Sequence, residues 1–170
     1  MTAPTNRARI RLRPHHLLCM LTFAGRGPSA AFAARMTQVL RRAANGRAVR
    51  LVTGPDDICA GNRGKAAGAH CRTLRLNGRD ARATSDLRRA GLAPAHPGAV
   101  LRITPARVAR ARRAFAGGAV RGACSGCVWK ALCDTLAEQR FAGCLLPRGA
   151  LTRGGGAANA PRLAEGDSGT

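Results

Sequence analysis

At 170 residues the chain is long enough for one domain with a real core and too short to expect two. Hydrophobic residues make up an ordinary 45% but aromatics only 3%, with one Trp and no Tyr, so the core must rest on Leu, Val, Ile, Met and the four Phe. The net charge of +21 is weak ground for a nucleic-acid partner: among 29 basic residues only Lys65 and Lys130 are Lys, and the Arg is dispersed and accompanied by Ala and Gly, as a GC-rich coding sequence produces.

Ala8 to Leu12 alternates, with Ile10 and Leu12 on one face, and predicts a first strand. Pro14 suits the first turn of a helix running to about Ala24. That apolar run, Leu17 to Ala24, follows a basic stretch. It is nevertheless short, preceded by His15-His16 and ended by Gly25-Arg26, so it reads as a buried helix and not a signal peptide. Ser29 can cap the next helix, whose Phe32, Met36, Val39, Leu40 and Ala43 form one stripe ended by Gly46. Val49 to Val52 predicts a short strand, broken by Gly54-Pro55-Asp56-Asp57.

Ile58 to Gly68 is Gly-rich and aperiodic, a plausible ligand-bearing loop. A helix from about Arg79 to Ala90 is closed by Gly91, and Pro94 to Gly98 forms a turn before a strand at Val100 to Ile103. Thr104-Pro105 opens a helix with Val108, Ala111 and Phe115 on one face and Arg107, Arg110, Arg112 and Arg113 around it. Gly117-Gly118 stops it, and the last helix spans Val128 to Gln139. From Pro147 the residues are Gly, Ala, Pro and polar ones, the composition of a disordered tail. The expectation is a small α+β domain over residues 1–146, several helices around a short sheet, with a tail over 147–170.

No stretch reaches the roughly 18 apolar residues of a membrane span. The seven cysteines are an odd number. A cytoplasmic setting is expected, where clustered cysteines read as metal ligands before disulfides. The strongest local signal is Cys124-Ser125-Gly126-Cys127, with Cys133 six residues later. A tight turn, eased by Gly126, directs both thiolates of such a pair to one metal. Six residues of helix rotate by about 240°, so Cys127 must precede the helix if it and Cys133 share a site. A second cluster is Cys59 with His70-Cys71. Cys59, Cys71, Cys124, Cys127 and Cys133 together suffice for one four-coordinate zinc or one four-iron cluster, with four of the five as ligands. Cys19 and Cys144 read as packing residues. Adjacent His15 and His16 point about 100° apart on a helix, so at most one is expected to face a given site. Asp56 and Asp57 either pair as carboxylates or, more simply, cap a turn and pair with Arg.

Several segments then match together: Arg13-Pro14-His15-His16-Leu17-Leu18-Cys19, Gly54-Pro55-Asp56-Asp57-Ile58-Cys59, His70-Cys71, Arg79-Asp80, and Cys124-Ser125-Gly126-Cys127-Val128-Trp129 ending at Cys133. From Ile10 to Leu145 the chain resembles an uncharacterised family of small bacterial and archaeal proteins thought to bind an iron–sulfur centre. The resemblance implies a cysteine-held cluster, with [4Fe–4S] favoured, and assigns no reaction. Some members carry a further cysteine where this chain has Asn62, which pushes the implied ligands toward Cys59, Cys71 and the Cys124–Cys133 cluster.

Three readings follow. The first is an iron–sulfur protein serving electron transfer with an unidentified redox partner, or sensing. The second is a zinc-stabilised module that binds nucleic acid, although stacking aromatics are scarce. The third is an enzyme using His15 or His16 with Asp56 and Asp57, which requires those side chains to converge on a pocket. Whatever the reading, the charge predicts only non-specific polyanion binding.

Overall fold

The computed structural model describes residues 9–59 and 71–147. The first strand, β1 (Ile10–Leu12), leads into a short helix α1 (Pro14–Cys19), then α2 (Ala30–Ala44) and β2 (Val49–Leu51). After them come α3 (Leu74–Arg89), β3 (Val100–Leu101), α4 (Pro105–Ala116), a 3-10 turn at Gly122–Cys124, and α5 (Lys130–Glu138). The predicted tail falls outside the described residues from position 148 onward, as does most of the Gly-rich loop, with Asn62 and His70.

The sheet has the order β1-β2-β3. β1 and β2 run parallel, Ile10 beside Val49 and Leu12 beside Leu51, and β3 returns antiparallel with Leu101 beside Val49. A parallel pair needs a crossover, and α1 and α2 supply it. The period-2 alternation works as read: Ile10, Leu12, Val49 and Leu51 are buried while Arg11 and Arg50 face solvent. On α2, Ser29 accepts the Phe32 N–H as N-cap, and Met36, Val39, Leu40 and Ala43 bury as one stripe.

Three elements depart from the sequence reading. α1 stops at Cys19, not near Ala24. Met20, Leu21, Thr22 and Phe23 are all buried in succession, which a helix docked by one face cannot achieve, so the chain continues in single i→i+3 turns. α3 begins at Leu74, five residues before Arg79. Its inner stripe is Leu76, Asp80, Ala83 and Leu87, and the buried carboxylate interrupts the apolar period that would have revealed it. On α4, Arg112 joins Val108, Ala111 and Phe115 in the interior. Its guanidinium is satisfied there by the Leu21 and Leu146 carbonyls at 3.1 and 2.8 Å and lies 4.9 Å over the Phe141 ring. No helix among the described residues is long and apolar enough to cross a membrane.

Candidate metal centre

The ends of α1 and α5, the segment after β2 and the start of α3 surround a cavity of about 300 Å³. Cys19, Cys59, Cys71, Cys124, Cys127 and Cys133 all line it, together with His15, His16, Arg79 and an apolar wall that includes Phe23, Met36 and Phe115. A larger cleft of about 690 Å³, bordered by Thr53, Asn77 and Arg88, has no cysteine or histidine among its described lining residues.

One side of the cavity is held by a buried polar network rooted in Arg13. This residue is wholly buried; its Nε donates to Asp80 Oδ2 at 2.6 Å, Nη1 to the Cys71 carbonyl and Nη2 to Asn77 Oδ1 at 3.1 Å. Asp80, on the interrupting position of α3, also meets His15 Nδ1 at 2.6 Å. His16 Nδ1 meets Asp56 Oδ2 at 2.6 Å. Both histidines border the cavity, with ring centroids 4.2 Å apart and planes tilted by 51°, and only His16 belongs to a group of three candidate ligands among the described residues, with Asp56 and Cys59. Separate carboxylates fix the two rings, Asp80 on His15 and Asp56 on His16.

Asp56 and Asp57 part company. Asp56 Oδ1 accepts the Ile58 and Cys59 N–H groups at 3.0 and 3.2 Å, and Oδ2 also accepts the Arg13 N–H at 2.8 Å. It is both a turn cap and the partner of His16. Asp57 accepts the Arg11 N–H and lies 3.8 Å from Arg42, away from the cavity lining. The structure therefore does not bring Asp57 to the histidines, because the two side chains leave the turn in different directions and an exposed Arg takes the second.

The other side is the Cys124–Cys127 turn. The Cys127 N–H bonds the Cys124 carbonyl at 3.0 Å, and Gly126 adopts φ +66°, a left-handed conformation that favours glycine. α5 starts at Lys130, so Cys127 does precede the helix that carries Cys133. α3 holds this turn with three hydrogen bonds: Asp86 accepts the Gly122 N–H at 2.8 Å, Arg82 donates to the Gly122 carbonyl at 3.0 Å, and Arg75 donates to the Gly126 carbonyl at 3.1 Å. A Thr22 hydroxyl donates to Cys133 Sγ at 3.2 Å.

The cysteines fall into two groups. Cys19 lies close enough to Cys133, Cys127 and Cys124 that charge on any of them opposes its ionisation. Cys19 is exposed, lines the cavity and is not among the residues packed against the hydrophobic core, where Cys144 lies. Cys59 forms the second group, its thiol hydrogen-bonded to Cys71 and beside Asp56. Burial pushes the Cys19, Cys59, Cys124 and Cys133 thiols up, so all four hold their protons at neutral pH without a metal.

The acids and His15 behave in the opposite sense. Burial would raise the Asp56 carboxyl, but attraction to and hydrogen bonding with His16, with the Arg13 and Cys59 N–H groups, hold it well below the usual range. Asp80 is likewise raised by burial and lowered further by His15 and Arg13. Burial pulls His15 down to about 4 against the opposing hydrogen bond to Asp80, so the imidazole is neutral near pH 7 and one nitrogen keeps its lone pair. Arg79, on the cavity wall, has a buried Nε with no hydrogen-bond partner among the described residues.

Sequence reasoning named the five cysteines and both histidines. It read Cys19 as packing, and it met Arg13 and Asp80 only as letters of a motif. Buried polar residues carry no hydropathy signal; the one available clue was a charged residue immediately before the Pro14-His15-His16 run.

The family described as "Protein of unknown function (DUF1284)" matches residues 27–133, a span that includes Asp56 to Cys59 and Cys124 to Cys133 and begins after Cys19. No curated protein and no solved structure matches the chain.

Proposed function

The chain belongs to the DUF1284 family of proteins of unknown function, and from that premise we propose that its sulfur-lined cavity binds an iron–sulfur cluster, held by Cys19, Cys124, Cys127 and Cys133. One observation carries the reading: six cysteines from separate stretches of sequence border a single cavity. Four thiols are the usual complement for a [4Fe–4S] or [2Fe–2S] core.

The fit rests on the donors and on what surrounds them. A lone tetrahedral zinc with Zn–S bonds of about 2.3 Å draws its four sulfurs nearly into contact and needs almost no empty space between them. A cavity of about 300 Å³ suits a polynuclear group better. The Arg79 guanidinium, with its unpartnered Nε on the wall, supplies the positive charge that a thiolate-bound cluster calls for. A cluster in this place supplies one-electron redox chemistry. The chain's own contribution is to tune it: the Thr22 hydroxyl donates to a ligand sulfur, and the apolar wall limits water. Electron transfer and sensing both use these properties.

Anaerobically purified protein should contain iron and acid-labile sulfide and absorb in the visible. Cys127→Ser and Cys133→Ser should bleach it, and Cys144→Ser should not. Colourless protein with stoichiometric zinc would sink the cluster and leave a zinc-stabilised fold in its place.

A further inference from the structure

Arg79 is not the only arginine with a buried Nε that lacks a hydrogen-bond partner among the described residues; Arg121 is the other. Arg121 does not line the cavity but sits against the residues that do. Its guanidinium lies 4.1 Å over the ring of Phe115, a lining residue. Its carbonyl accepts the Cys124 N–H at 2.9 Å, and its Nη2 pairs with Asp134, the residue that follows Cys133. Only 15% of the side chain is exposed. The charge acts on both sulfurs: it favours the ionised form of Cys124 by attraction and hydrogen bonding and that of Cys133 by attraction, while the Asp134 carboxylate opposes it at Cys133. A guanidinium this enclosed, with a donor left over, is costly in the metal-free fold, and a negative group beside it offsets that cost.

We infer that Arg121 sets the reduction potential of the proposed cluster, acting through Cys124 and Cys133, with Asp134 as its counterweight. The inference rests on the cluster reading and names the residues that tune it. On reduction the cluster and its four thiolates gain one electron, so their negative charge grows by one. A cation held nearby in poorly solvated surroundings stabilises the reduced form more than the oxidised form, and hydrogen bonds to the sulfurs act in the same direction. Arg121 therefore raises the potential. The Asp134 carboxylate, paired with the same guanidinium, offsets part of the rise. Lys130, 2.7 Å from Asp134, weakens that offset, but its side chain is half exposed and its charge is screened. The Thr22 hydroxyl on Cys133 adds to the effect of Arg121 without adding charge. Arg121 is a positioning residue and not a ligand: it acts on the metal only through the sulfurs it faces and the turn whose first N–H its carbonyl holds.

The test is a redox titration of full-length, anaerobically purified, iron-loaded protein at fixed pH and low salt, with visible absorption reporting the oxidised fraction. Arg121→Met should make the cluster harder to reduce, by about tenfold in the reduction equilibrium or about 59 mV for one electron. Arg121→Lys keeps the charge but not the planar fork and should fall between Arg121→Met and wild type. Asp134→Asn should move the potential the other way, to a more positive value. The opposite signs are the signature, because a merely structural ion pair is broken in both variants and would act on the cluster in one direction. Arg50→Gln, which removes a solvent-facing arginine on β2, should leave the potential unchanged and show that the overall charge is not the cause. Potentials of Arg121→Met and Asp134→Asn that stay at the wild-type value, or move together, overturn the assignment; so does an equal shift in Arg50→Gln. If Arg121→Met holds no iron, Arg121→Lys and Asp134→Asn decide: a fall in the first and a rise in the second support the assignment, and any other pair of results overturns it. Failure of the cluster reading looks different, since colourless wild-type protein overturns both readings, whereas coloured protein indifferent to these substitutions overturns the tuning alone.

Discussion

Arg13 shows how much one side chain can carry. Fully buried, it meets Asp80, Asn77 and the Cys71 carbonyl through its guanidinium and Asp56 through its N–H. A buried charge is tolerated only when its partners are complete, and removing one side of such a network strands the other. Arg13→Met should therefore cost on the order of 3–5 kcal/mol in chemical denaturation of the metal-free protein. Arg13→Lys should recover little, since an ammonium cannot reproduce the planar fork. Cys19 is the other residue whose standing changed. Read from sequence it was packing; the structure places it beside Cys133, Cys127 and Cys124 on the cavity, and the proposed cluster takes it as the fourth sulfur. Cys19→Ser should lower iron content and visible absorption as far as Cys133→Ser does, and Cys144→Ser should change neither. Equal retention of iron in Cys19→Ser and Cys144→Ser would return Cys19 to a packing role.

Among elements, α3 does the most to shape the site. One of its faces supplies Asp80 to Arg13 and His15, and Arg82 and Asp86 clamp the Gly122 peptide that leads into Cys124. The fit there is close: a Cβ on Gly122 would lie 2.8 Å from Asp86 Oδ2, the atom that accepts the Gly122 N–H. Gly122→Ala must push the carboxylate away from its own hydrogen bond. A loss of about 1–3 kcal/mol is expected, with weaker retention of iron, because the displaced turn carries Cys124. Thermal unfolding with iron analysis on the same sample checks both. Unchanged stability would mean that α3 tolerates the shift and that the clamp is loose.

For the whole molecule, acid is the natural stress. His15 is neutral in the fold down to about 4, whereas an unfolded histidine takes its proton near 6.5. Between those values the unfolded chain binds more protons, so stability falls as pH drops through that window, by an amount on the order of 3 kcal/mol. Asp80 and Asp56, both held below their unfolded values, extend the loss further into acid. Urea titrations of metal-free protein from pH 7 to pH 4 should show the midpoint falling most steeply between 6.5 and 4; a flat profile would mean that His15 takes its proton in the fold at the same pH as in the unfolded chain. Metal uptake should also strengthen with rising pH, since the buried thiols must give up protons to bind. At the surface, +21 charges spread over the chain should give polyanion binding that collapses with salt and ignores base sequence.

What the sequence by itself determined was local. The caps at Ser29 and Thr104, the alternating strand at Ile10–Leu12, the apolar stripe of α2 and the Gly126 turn between Cys124 and Cys127 depend on residues a few positions apart, and they emerge as read. So does the α+β composition of three strands and five α-helices among the described residues. The tertiary structure decided everything that spans the chain: that Asp80 orients His15 across 65 residues, that Asp56 orients His16 across 40, that Thr22 reaches Cys133 across 111, and that Cys19 joins the sulfurs at all. Spacing can state which cysteines share a turn, because a turn has one geometry. It cannot state which share a cavity, because that follows from how α1, α3 and α5 pack, and the buried charges that set this packing leave no periodic trace in the sequence.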